Sequence, residues 1–132
     1  MKISAKEQYG LRAMIELAAR YGEGPVALGA VAEAQGVSPD YLEQVARDLR
    51  EAGLALSTRG ARGGYELARP PDQITVGQVL RALDGGILPI RCVSEQEDVP
   101  CERGNNCGAR AVGETIHARI TEALEGMTLA DL

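Results

Sequence analysis

Residues 38–68 read SPDYLEQVARDLREAGLALSTRGARGGYELA, and the fold turns on the change of period inside this stretch. Ser38-Pro39-Asp40 supplies an N-cap, a proline at the first helical position and an acid in the first turn. A helix therefore starts at Pro39 and runs to about Ala52. Its buried stripe is Tyr41, Leu42, Val45 and Leu49, and Gly53 is placed to end it in the left-handed conformation. Apolar and polar residues then alternate over Leu54–Thr58 and again over Tyr65–Ala68. Between them, Arg59-Gly60-Ala61-Arg62-Gly63-Gly64 is a glycine-rich loop, so the segment predicts a β-hairpin with a basic tip.

Upstream, Leu28 to Gln35 is a short alanine-rich helix closed by Gly36. The turn Gly36-Val37-Ser38 gives the two helices the spacing of a helix-turn-helix, a corner that also occurs in ordinary helical bundles. The hairpin that follows decides between these. A hairpin directly after such a pair is the layout of a winged helix, and arginines on a glycine loop suit phosphates or a narrow minor groove. On the recognition helix, Glu43, Gln44 and Arg47 lie off the apolar stripe near the end that reaches base edges. Glutamine can pair with adenine and glutamate can accept from cytosine N4. Arg59 and Arg62 carry the positive charge of the wing tip.

Three further helices complete the chain. Ser4-Ala5-Lys6-Glu7 is a capping box, and Leu11, Met14, Ile15 and Ala18 follow at helical spacing until Tyr21-Gly22. After Pro70-Pro71, a second capping box of Thr75 with Gln78 starts a helix to Leu83, with Ile74 placed to staple onto Val79. Beyond Gly108, the residues Ala109, Val112, Ile116, Ile120, Ala123, Leu124 and Met127 recur at helical spacing. They predict a helix of about 18 residues, roughly 27 Å long. So small a domain cannot cover that stripe alone, which points to pairing between two subunits. The expected architecture is mostly α with a small β-hairpin wing. Residues 1–84 would form the winged-helix DNA-binding domain, 85–108 a cysteine loop, and 109–132 a dimerisation helix with a C-terminal tail.

Totals agree with one small domain: 132 residues, 45% apolar and 25% charged. No apolar run approaches the roughly 20 residues of a membrane span, and no signal-peptide core follows Met1, so a cytoplasmic location is expected. The net charge of −5 argues at first against nucleic acid. Residues 1–70, however, hold nine Lys/Arg against nine Asp/Glu, whereas 71–132 hold five against ten. The acidic excess sits in the second half, and a neutral first half can still present a basic edge. Catalysis finds no support. No serine or cysteine pairs with a histidine in a nucleophile pattern, and Gly60–Gly64 joins strands rather than opening a phosphate-binding helix.

All three cysteines lie in 91–107, RCVSEQEDVPCERGNNC. Cys92, Cys101 and Cys107 are separated by eight and five residues, without the C-x-x-C pairs of zinc ribbons. Spacing by itself leaves three options open: a metal or cluster, a redox disulfide with one thiol left over, or inert thiols.

The segments MKISAKEQYGLRAMIELAA, SPDYLEQVARDLREAGLALSTRGARGGYELARPPDQITVGQVLRALDG and MTLADL resemble the winged-helix iron–sulfur transcription regulators of the IscR and NsrR kind. The similarity covers almost the whole chain. It implies a bacterial homodimer that binds inverted-repeat promoter DNA, usually as a repressor, and senses iron, oxidants or nitric oxide. It also implies that Ser38, Tyr41, Glu43 and Gln44 meet DNA, that Arg59 is the wing arginine, and that the three cysteines hold a [4Fe–4S] or [2Fe–2S] cluster. Tyr41 fits the core stripe and the DNA face equally well.

Two departures from the family pattern stand out. The eight-residue first gap is longer than that of IscR-like proteins and nearer to that of the four-iron sensors. Where IscR-like proteins carry a histidine three residues after the last cysteine, this chain has Arg110, which is permanently protonated and a poor ligand. His117, the single histidine, lies about 10 Å further along the helix and fits a surface or interface role. NsrR-like proteins can draw a fourth ligand from the partner's first helix, where this chain offers Gln8 with Glu7 beside it. Two alternatives remain at this level. One is a regulator of the same fold that senses through thiols or docks a metabolic enzyme; the other is a zinc or iron–sulfur interaction module without DNA.

Overall fold

The computed structural model describes residues 3–84 and 106–132. Helix α1 spans Ala5–Ala19. Its capping box is made as the sequence dictates: the Glu7 N–H donates to Ser4 Oγ at 3.1 Å and the Ser4 N–H to Glu7 Oε2 at 2.8 Å. Helix α2 (Leu28–Gln35) ends at Gly36, whose φ of 67° lies in the left-handed region where a side chain is disfavoured. Helix α3 (Pro39–Glu51) opens on Ser38, whose hydroxyl accepts from the Tyr41 N–H at 3.1 Å, and the backbone turns at Gly53 with φ 78°. The wing follows as β1 (Ala55–Thr58) and β2 (Gly64–Leu67), antiparallel, with Ala55 opposite Leu67 and Thr58 opposite Gly64.

Beyond a 3-10 turn at Pro71–Gln73, helix α4 (Val76–Asp84) starts on the Thr75–Gln78 capping box, with bonds of 3.0 and 3.1 Å. Ile74 and Val79, the anticipated staple, are both fully buried. Helix α5 covers Gly108–Glu125, 18 residues. This is the mostly helical architecture with a two-stranded wing that the sequence leads one to expect.

One core joins these elements. Met14 and Leu17 from α1, Leu42, Val45 and Leu49 from α3, Tyr65 and Leu67 from β2 and Leu83 from α4 all belong to it. At roughly 25 cal/mol per Å² of apolar surface, each fully buried aliphatic side chain here contributes about 1.5–3 kcal/mol. Gly10 lets α1 approach closely: a Cβ there would collide with Leu83 and come within 3.1 Å of Val45.

Two features were not anticipated. Val26, in the α1–α2 connection, pairs with Tyr65 through an N–H to carbonyl bond of 2.8 Å and a reciprocal one of 2.9 Å, adding a third, single-bridge edge to the wing. The C-terminal tail also folds back. The Val76 N–H donates to the Met127 carbonyl at 2.9 Å, the Leu129 N–H to the Ile74 carbonyl at 3.0 Å, and Leu129 enters the core at 2% exposure. Thr128 and Asp131 cap the short 3-10 turn that carries it. Alternation and helical periodicity cannot register a single bridge or a one-residue anchor, because both depend on contacts across the fold.

Helix α5 behaves differently from the others. Gly113 is its one buried residue, while Val112 is 60% and Ile116 37% exposed. It meets the rest of the fold near its C-terminal end, where Glu125 pairs with Arg81 and accepts from the Thr75 hydroxyl at 3.2 Å.

Candidate nucleic-acid interface

The exposed side of α3 carries Glu43, Gln44 and Arg47, and the wing tip carries Arg59 and Arg62, all solvent-accessible. A crevice of about 410 Å³ separates helix from wing, and its walls include Glu43 and Arg50 from α3, Ser57 and Arg59 from the wing, and Gly29 from the start of α2. Recognition helix and wing therefore present one continuous surface, which brings Glu43 and Arg59 to the same cleft.

The wing tip is shaped by glycine at two points. A Cβ on Gly63 would strike the Thr58 carbonyl, and one on Gly64 the Val26 carbonyl. With Gly60 at φ 108° and the Gly63 N–H donating to the Gly60 carbonyl at 3.0 Å, the loop closes into a tight turn that projects Arg59 and Arg62 outward.

Glu43 is held from the wing side. The hydroxyl of Tyr65, a core residue, donates to Glu43 Oε1 at 3.0 Å. Burial pushes the Tyr65 phenol above its usual range, and the bond to Glu43 pushes it the same way, so the phenol stays a donor at neutral pH. The sequence marked Glu43 as a base-reading candidate but gave no sign of this partner, since the pair is separated by 22 positions. Tyr41, weighed between core and DNA, is half-buried. Its ring meets Tyr9 edge to face, with centroids 6.0 Å apart, while the Arg12 guanidinium stands 5.8 Å from the Tyr9 ring centre. Ser38 is exposed, and its hydroxyl serves as the α3 cap.

Two further contacts fasten the first turn of α1. Lys6 Nζ lies 2.7 Å from Asp48 Oδ2 on α3, and Ser4 Oγ bonds to Asp84, the last residue of α4. Asp48, foremost by its hydrogen bond, raises the Lys6 pKa against a smaller opposing effect of burial.

Of the three cysteines, Cys92 and Cys101 lie outside the described residues. Cys107 is half-buried and forms the N-cap of α5. The positive end of a helix favours a thiolate, the form that binds iron, so this position suits a cluster ligand. Among the described residues, no three His, Cys, Asp or Glu side chains converge as a metal site. Arg110 pairs with Glu114 at 3.0 Å along α5. Glu7 is 9% exposed, with one oxygen occupied by the Ser4 N–H, whereas Gln8 is exposed. No described helix is long and apolar enough to cross a membrane.

Comparison with known proteins agrees with this geometry. The model of the Rrf2 family, described as iron-dependent transcriptional regulators, matches residues 3–132. The HTH-type transcriptional regulator CymR of Bacillus subtilis is 42% identical over all 132 residues, which cover 89% of its length. The HTH-type transcriptional regulator IscR of Aliivibrio salmonicida is 38% identical over the same span, covering 77% of its length. The solved structure of CymR, described as the global cysteine regulator of B. subtilis, superposes with a TM-score of 0.79 at 44% identity, covering 99% of this chain and 95% of that one. With the family model matching residues 3–132 and HTH-type transcriptional regulators matching all 132 residues, this chain of helix-turn-helix and wing belongs to the Rrf2 family of transcriptional regulators.

Proposed function

We propose that the chain is a homodimeric repressor that grips inverted-repeat promoter DNA and senses iron, redox state or nitric oxide through an iron–sulfur cluster held by Cys92, Cys101 and Cys107. The observation that carries the DNA reading is the shared cleft of Glu43 and Arg59, which sets recognition helix and wing on one face. Glu43, Gln44 and Arg47 would meet base edges in the major groove. Arg59 and Arg62 would take backbone phosphates or the adjacent minor groove, and Ser38 and Tyr41 would flank them.

The exposed Val112 and Ile116 stripe supports pairing of α5 with a second copy, since burying such residues is worth about 1.5–3 kcal/mol each. A two-fold dimer sets its reading helices about one DNA turn apart, roughly 34 Å, and so selects inverted repeats. Cys107 stands at the N-cap position of α5, so the cysteine segment leads directly into that helix. Bound there, an iron–sulfur cluster would supply iron reactive towards oxidants and nitric oxide. Gln8, exposed on α1, is better placed than the buried Glu7 to offer the partner a fourth ligand.

A second reading keeps DNA binding and replaces the cluster with thiol or metabolite sensing; the similarity to a protein described as a global cysteine regulator favours it.

Mobility shifts on duplexes carrying one half-site or a full inverted repeat test the DNA reading. The full repeat should bind far more tightly, with a steep salt dependence, and Arg59→Ala should lower the salt slope by about one. Equal affinity for the half-site and the repeat would contradict it.

A further inference from the structure

We infer that Tyr65 is a positioning residue for DNA specificity: its phenol fixes the Glu43 carboxylate so that the chain discriminates at one base pair of each half-site. The inference rests on the proposal that Glu43 reads a base.

Tyr65 is anchored on both sides of its strand and in the core. Its backbone pairs with Ser57 in β1 on one side and bonds to Val26 in both directions on the other. Its ring belongs to the core, at 5% exposure. Gly64 before it leaves no room for a side chain against the Val26 carbonyl, so the two backbones approach closely at this point. The hydroxyl is the polar end of this rigid anchor, and it donates to Glu43 Oε1 at 3.0 Å. Raised by burial and by Glu43 itself, the phenol remains protonated at neutral pH and holds the bond.

The consequence concerns a glutamate that is otherwise exposed on α3. A loose carboxylate can swing away from a base that does not suit it, so it gains little from cytosine N4 and rejects little of anything else. With one oxygen tethered, the other points in a set direction. Cytosine N4 can donate to it, whereas the guanine O6 and thymine O4 acceptors meet an unavoidable negative charge. The entropy of ordering the side chain is lost on folding rather than on binding. Wing and recognition helix then act as one unit, because the wing sets what the helix reads.

The test is selection from random-sequence duplex DNA with wild type and the variants Tyr65→Phe, Glu43→Ala, Glu43→Gln and Tyr65→Phe/Glu43→Ala, with thermal melting alongside. Glu43→Ala identifies the base pair that Glu43 reads. Tyr65→Phe should lose discrimination at that same pair by about tenfold, keep the rest of the motif, and add nothing in the double variant. Glu43→Gln keeps an acceptor for the phenol and should change the preferred base rather than flatten the preference. Tyr65→Phe discrimination within about twofold of wild type would overturn the inference. So would a loss spread evenly over all positions together with a lower melting temperature, which marks a merely structural role. If Glu43→Ala changes no position while wild type still selects a motif, base reading by Glu43 fails, and the role of Tyr65 falls with it.

Discussion

Lys6 Nζ stands 2.7 Å from Asp48 Oδ2, joining the first turn of α1 to the solvent side of the recognition helix. Both side chains are about a third exposed, so water screens the pair. Lys6→Ala, Asp48→Ala and the double variant, compared by urea unfolding, should give a coupling below about 1 kcal/mol. A coupling of several kcal/mol would mean that the pair is far better desolvated than its exposure indicates.

Gly10 permits the α1–α4 crossing that brings Leu83 against the backbone. Gly10→Val should destabilise the fold by about 1–3 kcal/mol, because the new side chain would run into Leu83 and Val45, both buried in the core. Gly10→Ala should cost less, since the clash falls on the end of a flexible leucine side chain and alanine favours a helix. Chemical denaturation of the two variants orders them; an unaffected Val variant would show that α1 and α4 can separate.

Ser38 separates two roles that the same hydroxyl could play. As the α3 cap, its loss in Ser38→Ala should cost about 1 kcal/mol, and Ser38→Asp, another good cap, should restore stability. Near phosphate, however, the new carboxylate should weaken DNA binding. Melting and mobility shifts of both variants check this, and full DNA affinity in Ser38→Asp would place the cap away from the duplex backbone.

Alkaline pH should destabilise the protein through two groups whose folded pKa values are raised, Tyr65 and Lys6. Each is more readily protonated in the folded chain than in the unfolded one. Its stabilisation is therefore intact below the unfolded values near 10.0 and 10.5 and is lost as pH rises through the folded ones. Thermal melts between about pH 8 and 11 should show the decline. Tyr65→Phe, which has nothing to ionise there, should show a shallower one; an identical slope would remove Tyr65 from the account.

Most of the scaffold is legible in the sequence because local chemistry writes it. Capping boxes at Ser4 and Thr75, the Ser38-Pro39-Asp40 start and the left-handed Gly36 each act within one helical turn. The candidate interface was legible as a set of exposed residue types, with Glu43, Gln44, Arg47 and Arg59 off the apolar stripes. What stayed hidden depends on distant contacts. Periodicity places Tyr65 in a buried strand but cannot say that its hydroxyl meets Glu43. Equally, the helical stripe it draws ends at Met127 and says nothing of Leu129, which is buried in the core. Thiolate spacing at Cys92, Cys101 and Cys107 is weaker still, because a cluster is held by a shape that spacing does not determine.

The sensing claim is tested most directly by anaerobic iron and sulfide analysis coupled to promoter mobility shifts, before and after cluster removal and in Cys107→Ala. The account predicts iron and sulfide in the untreated protein, neither in the variant, and a DNA affinity that changes between the two. Oxygen-protected protein without iron or sulfide, or with the same DNA affinity in all three forms, would contradict it.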